Sequence, residues 1–224
     1  MTRKRVENAS AYLPESRSLN SLRVAAQNCE ACDLYRNATQ AVLGAGPASA
    51  KLVFIGEQPG NDEDLQGLPF VGPAGKLLDR ALADAAIDRS EVYLTNVVKH
   101  FKFEERGKRR IHKKPNTVEV NACQPWLEAE ILLIKPKMIV CLGATAAQSI
   151  LGRTYRLTKE RGTFREHPWA ACATAMIHPS AILRAPDAEE RHRQYEEFVA
   201  DLKQIKNKLK QCSRAAASSG RSRA

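Results

Sequence analysis

The chain has 224 residues, of which 43% are hydrophobic and 27% charged, and its formal net charge is +10. This length and composition are typical of a globular protein with one compact domain and a sizeable core. No apolar run reaches the length of a membrane span, and the basic N-terminus lacks the apolar region of a signal peptide. We therefore expect a cytoplasmic protein with no membrane partner.

Four apolar segments have the length of buried β-strands, and they cover residues 51–56, 91–98, 137–143 and 171–177. Helical patterns lie between and after them, at residues 73–86, 117–134, 143–151 and 188–210. This alternation predicts an α/β fold, a three-layer α/β/α sandwich with a central, mainly parallel four-stranded sheet. We predict a single domain over residues 1–212, followed by a disordered basic tail over residues 213–224.

The positive charge is concentrated in two segments. Residues 99–114 hold eight Lys or Arg and two Glu, residues 203–224 hold seven Lys or Arg and no acid, and the rest of the chain is near −3. Localised positive charge favours a polyanionic partner through counterion release. A solubilising tail explains residues 203–224 at least as well. For residues 99–114 we favour nucleic acid, because Phe101, Phe103 and an imidazole are interleaved with the charge.

Polar side chains follow three of the predicted strands. Gly56-Glu57-Gln58-Pro59-Gly60 comes after the first, Asn96 ends the second, and His178-Pro179-Ser180 comes after the fourth. The second strand also leads into a basic loop that contains Lys108-Arg109-Arg110-Ile111-His112. Ligands of open α/β sheets bind beyond the carboxyl ends of the strands. We therefore predict one site at this edge of the sheet.

Each of these residues also has an ordinary structural explanation. The glycine turn can be a simple strand-to-helix connection, and Phe70, within the Gly- and Pro-rich residues 67–75, can be a core residue or a platform on which a base stacks. An isolated histidine is most often structural, although His178 beside Pro179 is a credible hydrogen-bond donor to a substrate. His112 can be a bystander, a general base or a nucleophile.

Three of the six cysteines have a spacing that suggests chemistry. Cys29 and Cys32 form a CxxC pair, which can be half of a zinc site, a redox dithiol or neither. A metal or cluster needs two further ligands, for which Cys123 and His100 are the candidates. The others have simpler explanations, as core residues or a free thiol: Cys141, Cys172 and Cys212.

In their order along residues 26–203, these motifs resemble the uracil-DNA glycosylases of the iron–sulfur family 4: the CxxC pair, the Gly-Glu-Gln-Pro-Gly turn, residues 67–79, Asn96-Val97-Val98-Lys99, Cys123 and His178-Pro179-Ser180. The sequence departs from the family at two places. His100 stands where the family has cysteine, and the basic loop carries Lys-Arg-Arg-Ile-His. Both departures are similar to the UdgX branch of the superfamily, which becomes covalently joined to its DNA.

The resemblance implies a [4Fe–4S] cluster held by an N-terminal segment and the start of the basic loop. Its ligands would be Cys29, Cys32, His100 and Cys123, with Cys141 as the alternative to His100. It also implies a monomeric DNA-repair enzyme that removes uracil from DNA, preferably single-stranded. A conventional enzyme with many turnovers and a non-catalytic iron–sulfur protein that binds nucleic acid remain the alternatives.

The resemblance implies a role for each site residue. Phe70 would stack on uracil, Asn96 would read its edge, Glu63 would lie near C5, and the turn residues Gly56 and Gln58 would contact uracil, with Gln58 helping to stabilise the leaving anion. His178 would stabilise the leaving uracil, while Glu57 would face the sugar and orient His112, which would attack C1′. The predicted DNA contacts are Lys108, Arg109, Arg110, Ser180 and Arg184.

Overall fold

The computed structural model describes the backbone of residues 7–221 and the side chains of residues 7–211. The last three residues of the predicted tail and the side chain of Cys212 lie outside these limits. None of the described helices is both long enough and apolar enough to cross a membrane.

Seven strands form the sheets of the structure: β1 (Leu52–Gly56), β2 (Val92–Asn96), β3 (Phe103–Arg106), β4 (Arg109–His112), β5 (Met138–Leu142), β6 (Arg165–His167) and β7 (Ala170–Met176). The central sheet has the order β2-β1-β5-β7-β6, in which the first four strands are parallel and β6 is antiparallel to β7. All four predicted strands are confirmed. The sheet has five strands rather than four, because the short edge strand β6 is built from polar residues without an apolar run to mark it.

Within residues 7–221, eight α-helices surround the sheet: α1 (Leu19–Ala26), α2 (Asn61–Gln66), α3 (Pro73–Asp84), α4 (Thr117–Ile134), α5 (Ala144–Leu151), α6 (Leu157–Glu160), α7 (Pro179–Leu183) and α8 (Ala188–Arg221). The four predicted helices are confirmed as α3, α4, α5 and α8. The helix α8 continues past residue 212, where we predicted the disordered tail, in a segment whose alanines favour helix. The division into one domain and a tail stays a prediction.

The core lies on both faces of the central sheet. Successive side chains of a strand point to opposite faces, so Val53 and Ile55 belong to one hydrophobic cluster, whereas Leu52 and Phe54 belong to the other. The first cluster includes residues of α1, α4 and α5, and the second includes residues of α3, α7 and α8. The predicted three-layer α/β/α arrangement is thereby confirmed.

The basic segment forms a β-hairpin instead of the long loop that we predicted. Strands β3 and β4 pair antiparallel, with Phe103 opposite His112 and Arg106 opposite Arg109. The two-residue connection begins at Gly107, whose φ of +60° suits a tight hairpin turn. The hairpin places His112 at the end of its second strand, next to the main sheet.

Candidate active site

A cavity of about 910 Å³ opens at the carboxyl ends of β1, β2, β5 and β7. Eight of the predicted site residues line it: Glu57, Gln58, Phe70, Asn96, His112, His178, Ser180 and Arg184. Glu63 lines it as well. The rule that ligands bind beyond the strand ends therefore identified the position of the cavity.

The floor of the cavity is formed where Asn96 and Phe70 meet above Gly56. A Cβ atom at Gly56 would lie 2.3 Å from Asn96 Oδ1 and 2.8 Å from Phe70 Cζ, so only glycine fits there. Phe70 itself has a φ of +58°, which is rare for a residue with a side chain. Close packing enforces this conformation, because a Cβ at Gly75 would lie 1.7 Å from the Phe70 carbonyl oxygen. The aromatic ring is thus held in a fixed position.

The carboxamide of Asn96 is available to a ligand. Asn96 is 3% exposed, yet within the described part of the chain its side chain forms no hydrogen bond. The backbone of the same residue is fixed, because Lys99 Nζ donates to the Asn96 carbonyl oxygen at 2.7 Å. A rigid, unpaired amide in a pocket can recognise a ligand that offers one acceptor and one donor.

Lys99 belongs to a buried polar network that lies behind Asn96. Its ammonium forms an ion pair with Glu130 at 2.6 Å, and both side chains are 1% exposed. Glu130 also accepts hydrogen bonds from the Tyr93 hydroxyl at 2.8 Å and from the Gly44 backbone amide at 2.6 Å. Sequence reasoning missed this network, because the apolar pattern of α4 gave no sign that Glu130 points inward.

His178 is held in one tautomer by the turn that follows it. Its Nδ1 accepts the backbone N–H of Ser180 at 3.1 Å and lies 2.8 Å from the Ser180 hydroxyl. Burial is the main cause that lowers the pKa of His178 to about 4, and the charges of Arg184 and His112 act in the same direction. The ring is therefore neutral at pH 7, with its proton on Nε2, and it can donate one hydrogen bond to a ligand.

His112 and Glu57 approach each other at the rim of the cavity. The distance from His112 Nε2 to Glu57 Oε1 is 3.4 Å, and the side chains are 51% and 21% exposed. The ring of Phe101 lies beside that of His112, with 6.2 Å between the ring centroids. The imidazole thus has a carboxylate on one side and an aromatic ring close by, while half of its surface remains accessible.

Gln58, which lines the cavity, also binds the hairpin, and its predicted contact with uracil stays a prediction. Its amide nitrogen donates to the carbonyl oxygens of Lys102 and Lys113 at 3.1 and 3.0 Å, and its oxygen accepts the Lys102 backbone N–H at 3.1 Å. These three hydrogen bonds tie the base of the hairpin to the end of β1. The side chain of Gln58 is therefore engaged by the hairpin that carries His112.

Arg110 is held by contacts within the protein, and its predicted contact with phosphate stays a prediction. Its guanidinium pairs with the fully buried carboxylate of Asp64 at 2.7 Å, donates to Asn61 Oδ1 at 2.8 Å and lies over the rings of Phe101 and Phe103. These contacts fasten the hairpin to α2 and leave the side chain 18% exposed. Asp64 was missed because the sequence of α2 contains three neighbouring acids with nothing to distinguish them.

The remaining predicted DNA contacts lie in two places. Lys108 and Arg109 are exposed at the tip of the hairpin and do not line the cavity, whereas Ser180 and Arg184 do line it. Glu63 uses both carboxylate oxygens to accept backbone N–H groups of Gly60 and Gly72, at 3.0 and 2.8 Å. Its side chain therefore fixes the two glycine turns at the wall of the cavity.

Cys29, Cys32 and Cys123 lie in one region, near the start of the hairpin. Burial is the main cause that raises the pKa of the Cys123 thiol to about 12, and Cys29 and Cys32 are near enough to act in the same direction. The Lys99 backbone N–H, next to His100, donates to Cys123 Sγ at 3.2 Å. Burial alone raises the pKa of Cys141, which belongs to the core. This donor set suits a cluster chemically, although no three His, Cys, Asp or Glu of the described residues are arranged to hold a metal ion.

A cavity at the strand ends of an α/β sheet that holds an aromatic ring and a few converging polar groups is typical of α/β proteins that bind a small-molecule ligand or a nucleotide there. The family model for the uracil DNA glycosylase superfamily matches residues 43–203 of this chain. The chain therefore belongs to the uracil DNA glycosylase superfamily.

Curated relatives agree with this assignment. The type-4 uracil-DNA glycosylase of Archaeoglobus fulgidus is 37% identical over 80% of this chain and 86% of its own length. Those of Thermotoga maritima and Sulfurisphaera tokodaii are 38% and 34% identical, over 74% and 76% of this chain and 83% and 78% of their own lengths. This chain is thus similar to type-4 enzymes along most of its length.

Proposed function

We propose that this protein excises uracil from DNA and then becomes covalently attached to the sugar through His112, as in the UdgX branch of the superfamily. The observation that carries the proposal is the 3.4 Å approach of His112 Nε2 to Glu57 Oε1, at the rim of a cavity that also holds Asn96 and His178. An imidazole beside a carboxylate is the usual arrangement of an activated nucleophile or base.

Recognition of uracil is the first step of the proposed reaction. The target base leaves the stack and enters the cavity, where it lies against Phe70. The Asn96 amide NH2 donates to uracil O4, and its oxygen accepts from N3–H. Cytosine presents the opposite pattern and would leave both groups of Asn96 unpaired in a buried site, which costs on the order of 1–3 kcal/mol for each group.

Bond cleavage and capture follow. The C1′–N1 bond breaks, and its electron pair leaves with uracil, whose O2 accepts a hydrogen bond from His178 Nε2–H. The carboxylate of Glu57 stabilises the positive charge on the sugar. A lone pair of the His112 ring then forms a bond to C1′, and the other ring nitrogen loses its proton to Glu57. Glu57 passes this proton through solvent to the uracil anion, so that uracil leaves neutral, Glu57 is again a carboxylate and the charges balance.

We also propose that Cys29, Cys32, Cys123 and His100 hold a [4Fe–4S] cluster. When bound, the cluster would join the N-terminal segment to the start of the hairpin, and its irons would keep the thiols deprotonated despite the raised pKa of Cys123. Iron and acid-labile sulfide in the purified protein are the expected result, and zinc without iron would refute this part. A monomeric state and a preference for single-stranded DNA stay predictions.

A conventional glycosylase with many turnovers is the second candidate, because the similar proteins are named type-4 uracil-DNA glycosylases. Here His112 would act as an acid, a base or a DNA contact.

A denaturing gel separates the candidates. A uracil-containing single-stranded oligonucleotide should give a shifted band with the wild type and with the control His167→Ala, but not with His112→Ala or with thymine DNA. An adduct at full yield with His112→Ala would exclude His112 as the nucleophile. Abasic product with turnover would support the conventional enzyme, and the absence of uracil release would leave a protein that only binds DNA.

A further inference from the structure

We propose that a basic groove between α3 and α8 binds the phosphodiester backbone of single-stranded DNA outside the target nucleotide and its two immediate neighbours. We call it the α3–α8 groove and define it by Lys76, Arg80, Arg191, His192 and Tyr195. The inference rests on the proposed function, because it requires that the cavity takes a nucleotide of a DNA strand. It adds a surface outside the motifs that suggested a DNA partner.

The α3–α8 groove is a cavity of about 420 Å³, and its charge has one sign. Four basic side chains and one tyrosine line it, together with apolar residues, and none of the lining residues is a carboxylate. A positively charged groove that follows the backbone is how proteins hold single strands without regard to sequence. The composition of the groove therefore suits a polyanion.

The groove continues directly from the active-site cavity. Pro73 and Leu183 line both, so the two cavities share these residues as a common boundary. Leu183 is 39% exposed, and Arg184, which follows it, faces the active-site cavity. A strand whose uracil lies in that cavity can therefore continue past Leu183 into the groove.

Two of the cations are free to contact phosphates. Neighbouring carboxylates already have partners, since Asp79 pairs with Arg89 at 3.0 Å and Asp84 accepts the Tyr195 hydroxyl at 2.6 Å. Within the described residues, Lys76 and Arg191 form no ion pair.

The other basic residues of the groove are engaged. Arg80 lies over the Tyr195 ring at 4.1 Å, and His192 is 3.2 Å from Glu196. We therefore assign the phosphate contacts to Lys76 and Arg191.

The experiment compares uracil release from two substrates, a 20-nucleotide single strand with a central uracil and a trinucleotide with uracil in the middle. The second-order rate constant under single-turnover conditions is measured against salt concentration for the wild type and for the double variant Lys76→Ala/Arg191→Ala. The control is Lys51→Ala/Lys135→Asn, which removes the same charge at the opposite end of the sheet. Asparagine at residue 135 tolerates the left-handed backbone there, where φ is +52°.

Each phosphate contact with a single strand contributes about 0.7 to the slope of the logarithm of the rate constant against the logarithm of salt concentration. The loss of two contacts should therefore make this slope shallower by about 1.4 for the 20-nucleotide strand. The trinucleotide rate and the control should match the wild type. The proposal is overturned by an unchanged slope, by an equal loss on the trinucleotide, or by an equal effect of the control. If no protein releases uracil, the proposed function fails instead, and fluorescence anisotropy of the labelled 20-mer still measures the salt slope of binding.

Discussion

The buried pair of Lys99 and Glu130 should control both stability and the recognition of uracil. In Lys99→Met the chain keeps similar volume at this position but loses the ammonium, which donates to Glu130 Oε2 at 2.6 Å, to Thr95 Oγ1 at 2.8 Å and to the Asn96 carbonyl at 2.7 Å. The carboxyl group of Glu130 is then left in the core without the ammonium that pairs with it. Breaking a buried pair in this way costs about 3–5 kcal/mol.

Urea denaturation of the purified variant measures this cost. A loss of about 3–5 kcal/mol corresponds to a fall in Tm of roughly 6–20 °C for a chain of this size. The control is Asp79→Asn, which breaks the exposed pair with Arg89 and should cost less than about 1 kcal/mol. A loss below about 1 kcal/mol for Lys99→Met would refute the argument that this ion pair supports the core.

The rate of uracil release is a second test of the Lys99→Met substitution. The Asn96 backbone is no longer held in Lys99→Met, so the carboxamide should read uracil less precisely. We expect uracil release to fall more than tenfold at a temperature where the variant is folded, since about 1.4 kcal/mol of lost positioning already gives this factor. Wild-type rates in a folded variant would show that the network supports only stability.

Three further predictions concern the cavity. Gln58→Ala should reduce the yield of the covalent adduct more than it reduces uracil release, because it frees the hairpin and leaves the base pocket intact; an equal loss of both would contradict this. In His112→Ala, uracil release should decline only as pH falls towards about 4, the lowered pKa of His178. The free energy of unfolding should decrease from about pH 6.5 towards pH 4, because His178 takes up its proton in the unfolded chain before it does so in the folded protein. A midpoint near pH 6.5 in the activity profile would show that His178 is not kept neutral by its surroundings. Gly56→Ala should abolish uracil release in a folded protein, since the added Cβ would lie 2.3 Å from Asn96 Oδ1. Full activity of this variant would show that the Asn96 carboxamide does not pack directly against Gly56.

The sequence predicted the sheet and the position of the cavity because both depend on local patterns. Apolar runs mark strands such as β5, and the residues directly after a parallel strand must lie at its carboxyl end. The hairpin could not be predicted in the same way. Glu105 and Arg110 face each other across β3 and β4, but both strands are polar and are stabilised by contacts with α2 and with Gln58. The contacts of Arg110 with Asp64 and of Gln58 with Lys102 likewise join residues distant in sequence, so sequence context, which suggested DNA and uracil, gave no sign of them.

The placement of the proposed nucleophile on the hairpin has a physical consequence. The groups that would read and release uracil lie at the rigid ends of β2 and β7. His112, in contrast, is the last residue of β4, and the side chains of β4 and its partner strand β3 are largely exposed. An attack on C1′ needs the ring nitrogen at about 3–3.5 Å in the right direction, and such precision requires supported elements. The three hydrogen bonds of Gln58, at the base of the hairpin, and the pair of Arg110 with the buried Asp64, within β4, give this support at two places. Loss of either anchor should therefore affect capture before it affects excision, and the order in which the two activities are lost distinguishes a supported nucleophile from a histidine that only contacts DNA.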